Sequence, residues 1–271
     1  MKSLFFDLVQ KYLSKTNEKA SPLFRPVIVG TQKFLLDNIQ LSLPAEIRYD
    51  ELPSLAPPYP EMWFEWHDAD HDWAGVYVKT RRLISGEWEY GLYIFSEIKG
   101  ITGLYPISLV FSVPASGRYE RGKGLDIKYY KDPYFVGLTD ETAKILIADL
   151  NNTYIGMILF AISLMHCKNI IEVEKGGKNP NIKNRRHRSK GTKHYILDVV
   201  PVRNIKRTEY EQPGNGFSQR LHFRRGHFKE YTTDRPLFGK YVGTFWWEAH
   251  VAGNKDNGEI KKDYRILPTQ L

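Results

Sequence analysis

Cysteine is almost absent from this chain of 271 residues, where Cys167 stands alone. A single thiol excludes a disulfide framework and any zinc site built of thiolates. A long uninterrupted apolar run is also missing. The most apolar stretch, Tyr154 to Cys167, falls short of the roughly 20 residues that cross a bilayer. Asp149, Asn151 and Asn152 interrupt it upstream, so it reads as a helix buried against a sheet, with no membrane partner. The opening MKSLFFDLVQKYLSK breaks its apolar residues with Asp7, Gln10 and Lys11, unlike a secretory leader. A cytoplasmic setting is the expectation. No P-loop, no GxGxxG after a strand, no HExxH and no GxSxG occurs, so no cofactor is expected.

The composition, 42% hydrophobic and 26% charged, is that of a globular protein. Its net charge of +8 is unevenly spread. From Lys175 onward there are 21 basic and 9 acidic residues, a net of +12. The preceding 174 residues carry 18 basic and 22 acidic, a net of −4. This asymmetry predicts two regions, an acidic one over 1–174 and a basic one over 175–271, facing different partners. The basic region suits a polyanion or an acidic protein surface.

Leu4, Phe5, Leu8, Val9, Tyr12 and Leu13 form one apolar face, which predicts a short amphipathic helix over 3–15. The proline-rich 43–60 is a connection. MWFEWHD (62–68), AGVYVKTRR (74–82), EYGLYIFSEI (89–98) and PISLVFSVPA (106–115) are aromatic and β-branched, with turn residues between them, and predict an antiparallel meander. Thr139, followed by Asp140 and Glu141, is an N-cap opening a long helix to about Lys168. Short strands after 170 suggest a curled sheet or barrel. The fold expected is therefore α+β: an antiparallel sheet packed on a long buried helix, followed by a small basic β-rich domain.

Three groups of residues could carry function. The densest is LHFRRGHFKEYTTDRPLFGKYVGTFWWEAHVAG, 221–253. If its strands pair, His222, His227 and His250 could converge with Arg225, Lys229 and Tyr231. That set would support metal-independent RNA cleavage, with one imidazole taking the 2′-hydroxyl proton, another protonating the leaving oxygen, and a cation stabilising the phosphate. The alternative is that these histidines bond the backbone and the tryptophans fill the core. The second group is KGGKNPNIKNRRHRSKGTKH, 175–194, which has no acidic residue. Within it Lys183, Arg185, Arg186, His187, Arg188 and Lys190 could neutralise phosphates. Arg224, Arg225, Lys229 and Lys240 extend the surface. Tyr195, Phe223, Phe228 and Tyr231 could offer stacking faces to unpaired bases. The third group is the turn of His67, Asp68, Asp70, His71 and Asp72, whose imidazoles and carboxylates could hold a divalent ion or simply serve a hairpin. A turn is the expected reading there, with no metal.

RRHR (185–188), the strand ending at Pro201, RGHFKEY with PLFGKYVGTFWWEAHVAG, and KDYRI (262–266) together resemble a group of uncharacterised bacteriophage and mobile-element proteins. APPYPEMWFEW (56–66) is similar to the N-terminal part of such proteins. The resemblance implies a phage or bacterial origin and transfers no catalytic residue. The leading expectation is a binder of RNA or single-stranded DNA. The alternatives are a toxin-like ribonuclease using His222, His227 and His250, and an inhibitor that docks its basic region on a host protein. The sequence leaves oligomeric state open.

Overall fold

The structure, a computed structural model, describes residues 4–15, 31–40, 47–67, 73–131, 139–177, 191–202, 220–252 and 254–259. Helix α1 (Phe5–Lys15) precedes strand β1 (Gln32–Leu35). β2 (Glu61–Trp66), β3 (Trp73–Arg82), β4 (Trp88–Ile98) and β5 (Ile101–Val113) form the antiparallel meander, and β6 (Lys128–Lys131) adds to its edge. Two further strands, β7 (Ile170–Gly177) and β8 (Gly191–Val199), complete one eight-stranded sheet in the order β6-β5-β4-β3-β2-β1-β8-β7. β1 pairs in parallel with both β2 and β8, so the sheet is mixed.

Both faces of the central strands are covered. Met62, Phe64, Val76, Leu92 and Ile94 share one core with helix α3 (Gly156–Met165). Trp63, Tyr77 and Phe95 point the other way and bury α1 through Phe5, Phe6 and Val9. This two-sided burial explains why β2 and β3 read as nearly continuous apolar runs rather than clean alternation. Gly75 lets α1 approach closely, since a Cβ there would lie 2.6 Å from Trp63 and 2.8 Å from Phe5.

The expected α+β fold is corrected by this architecture. The chain is mostly sheet, organised on the eight-stranded mixed sheet, and it is not a meander packed on one long buried helix. The helical run Asp140–Met165 is apolar and long enough to cross a membrane by length and composition, and 59% of its most apolar window is buried in the protein. Its first part, α2 (Asp140–Leu150), leaves Asp140, Glu141, Lys144, Ile145 and Asp149 exposed. A π-helical turn at Asn151–Ile155 follows, and burial is complete only along α3, whose residues from Gly156 to Leu164 are all buried. Polar side chains around α2 make full burial costly, whereas α3 carries none that is charged. Thr139 does cap α2, its hydroxyl accepting from Thr142 N–H at 3.2 Å. The 174/175 boundary falls within β7, and β8 lies in the same sheet as β1 to β6.

Candidate nucleic-acid interface

The C-terminal strands form two smaller units beside the main sheet. β10 (His227–Tyr231) pairs with β11 (Gly243–Trp247), while β9 (Arg220–Arg224) lies between β12 (His250–Ala252) and β13 (Asn254–Glu259). The β10–β11 ribbon is anchored by aromatics and by one amide. Phe228 and Trp246, directly opposed, pack their rings at 4.7 Å and both meet Phe160 of α3. Buried Asn169 mimics a strand partner for Trp246. Its amide donates to Trp246 C=O at 2.8 Å and to Val200 C=O at 3.1 Å, and its oxygen accepts from Trp246 N–H at 2.9 Å.

Gly226 separates the two units. A Cβ at this position would stand 2.6 Å from the Trp246 ring, so only glycine lets the chain cross over the indole. The strand that could have run through LHFRRGHFKEY is therefore broken at Arg225–Gly226, and its halves join different sheets.

This break decides which candidate residues meet. Arg224 stands directly opposite His250, and His222 is opposite Ala252. His227 is opposite Trp247, and its strand does not pair with that of His250. The Nδ1–H of His227 donates to Arg225 C=O at 3.1 Å, and that of His250 to Glu248 C=O at 2.9 Å. Each bond leaves the ring's Nε2 as the acceptor in the neutral form. Tyr231 packs on Phe245 at 5.7 Å, beneath the Lys229 ammonium at 4.9 Å. Lys240 lies over the Tyr241 ring at 5.4 Å. The structure thus brings together Arg224 with His250 and Lys229 with Tyr231, and no three-histidine cluster among the described residues.

The arginine, lysine and histidine side chains here share one property. Arg220, Arg224, Arg225, His227, Lys229, Lys240 and His250 are all exposed. Arg220, on the same strand as Arg224, is a basic residue that the candidate set leaves out. The aromatic candidates divide sharply. Tyr195 packs against Phe34 at 5.8 Å, Phe228 and Tyr231 are engaged as above, and Phe223 is 58% exposed. A cavity of about 260 Å³, lined by Val202, Trp247, His250 and Val251 among others, adjoins this surface.

Lys183, Arg185, Arg186, His187, Arg188 and Lys190 lie outside the described residues. So do Asp68, Asp70, His71 and Asp72 of the Asp/His turn. Its remaining member, His67, bonds Asp37 through Nδ1 at 2.7 Å, and its ring lies tilted against Trp73 with centroids 3.7 Å apart. Glu65, its neighbour on β2, has an unexpected partner in the backbone of α1. It accepts from Phe6 N–H at 2.9 Å, Phe5 N–H at 3.3 Å and the Trp63 indole at 2.7 Å. The carboxylate caps a helix from a distant strand, a pairing that sequence patterns cannot reveal. Burial pushes its pKa up to about 7, opposed by these three donors. No family model, curated protein or solved structure matches the chain.

Proposed function

We propose that this chain is a nucleic-acid-binding protein of a phage or mobile element, acting in the cytoplasm on RNA or single-stranded DNA. The observation that carries the reading is the exposed cationic ribbon. Arg220 and Arg224 on β9, Arg225 beyond it and Lys229 on β10 are all exposed, and His250 on β12 stands opposite Arg224. Cations in this number bind phosphates without base specificity, and every phosphate neutralised releases counterions. The acid-free segment 175–194 adds eight Lys and Arg residues to the same third of the chain. RNA or single strands are preferred to duplex DNA because the described basic strands include no helix to enter a major groove.

The test separates the two cationic groups. Replacing Arg185, Arg186 and Arg188 together with Ala weakens binding and lowers its salt dependence, as does replacing Arg224, Arg225 and Lys229. Unchanged affinity and slope in both triple variants would sink the reading.

A further inference from the structure

Beside the cationic strands lies a cavity of a different character. It measures about 370 Å³ and is lined by Lys168, Asn169, Val200, Tyr241, Val242 and Phe245. It lies where the link between α3 and β7 runs beside β11, with Lys168 N–H donating to Thr244 C=O at 2.8 Å. Sites for small molecules run from about 300 to 1,000 Å³, so this one admits a ligand of modest size.

Gly243 makes the site possible. Its φ of +123° falls in the region that favours glycine, and a Cβ there would stand 3.0 Å from Lys168 Cγ and 3.1 Å from its Cε. The lysine stem therefore lies across this glycine. Gly243 and Phe245 are two apart on β11 and share a face of the ribbon. Lys168 thus crosses the ribbon on the side that Phe245 occupies.

The lining has a consistent chemistry. Phe245, 2% exposed, closes the inner end, and Val200, Val242 and the Tyr241 ring complete an apolar wall. The Asn169 amide is spent on Trp246 and Val200. Among the described residues no carboxylate lines the cavity, and Lys168 is its single charged wall. Lys168 is exposed, so its ammonium stands at the mouth, and it has no ion-pair partner among the described residues. A neutral ring would leave that ammonium without a partner, and a bare inorganic anion would leave the apolar walls in water. A flat ring bearing an anionic group uses both.

We propose that this cavity binds one small aromatic anion, its ring inward between Tyr241, Phe245 and the valines and its anionic group on Lys168. A nucleoside monophosphate and an aromatic carboxylate share that chemistry. None of Arg220, Arg224, Arg225 and Lys229 lines the cavity, so the site is separate from the cationic strands.

The experiment titrates the full-length protein with adenosine monophosphate, naphthoate, adenosine and inorganic phosphate, read by ligand-observed NMR. Wild type is compared with Lys168→Met, which keeps the aliphatic stem, and Val242→Trp, which fills the cavity from an exposed position; circular dichroism confirms the fold of each. At least one of the two aromatic anions is expected to bind, and adenosine and phosphate at least about tenfold more weakly. Lys168→Met is expected to weaken the anion about ten- to a hundredfold, the worth of one charge-assisted hydrogen bond, and Val242→Trp to abolish its binding. Binding of the nucleotide alone assigns a nucleotide, binding of naphthoate alone assigns a carboxylate, and either supports the site. Absence of binding by both aromatic anions overturns the proposal. So does phosphate binding as tightly as the nucleotide, or wild-type affinity in Lys168→Met. Loss of binding on replacing Arg224 and Arg225 with Ala, with Lys168→Met unaffected, would move the ligand to the cationic strands and overturn it as well.

Discussion

Glu65 is a buried carboxylate, at 1% exposure, set between Trp63 and the first turn of α1. Its pKa of about 7 lies above the ordinary 4.5, so the folded chain binds this proton more tightly than the unfolded chain does. The stability it contributes is accordingly full below pH 4.5 and declines as pH rises to about 7, by on the order of 2–3 kcal/mol. Glu65→Gln should remove that decline. Denaturant midpoints at pH 5 and pH 7.5 would differ less in the variant than in wild type; an equal difference would refute the assignment. Asn169 is the second residue on which much depends, because it satisfies two carbonyls and one N–H at the junction with β11. Asn169→Ala should cost on the order of 2–4 kcal/mol by stranding these buried groups. Amide exchange should rise first in β10 and β11, and uniform exchange would argue against a local junction.

At the scale of elements, legibility follows the range of the interaction. β2 to β5 are visible in the sequence because aromatic and β-branched residues recur between turn signals, and the Thr139 cap is visible because it reaches only three residues ahead. β1 is not visible. Its four residues, QKFL, owe their strand conformation to partners about thirty residues on and to β8, more than 150 residues away. The same applies to the candidate site. The types of residue on β9, β10 and β12 can be read, but their pairing cannot, because the break at Gly226 is imposed by Trp246 from another strand. Gly226→Ala tests this element directly. The added methyl must displace the Trp246 ring, which costs about 1–3 kcal/mol as overpacking. A neutral Gly226→Ala in chemical denaturation would mean that the crossing is not held by the indole.

Over the whole molecule, charge and architecture are divided differently. Beyond residue 174, where the net charge is +12, β8 is built into the main sheet with Lys193 balanced by Asp198, while residues 220–259, whose strands stand beside it, carry 7 basic and 5 acidic residues, a net of +2. The aromatic layer of Phe160, Phe228 and Trp246 ties β10 and β11 to the sheet's own core, so Lys229 is presented from a fixed base. An exposed array of cations should bind a single strand with an affinity that depends on salt more than on sequence. The most direct measurement is equilibrium binding of single-stranded RNA across a salt series, for wild type and for the protein with Arg224, Arg225 and Lys229 replaced by Ala. Affinity is predicted to fall steeply with salt in wild type, and the slope to drop by about 2 in the variant, at roughly 0.7 for each phosphate no longer neutralised. Absence of binding at low salt, or an identical slope in the two proteins, would contradict the assignment of this ribbon to nucleic acid.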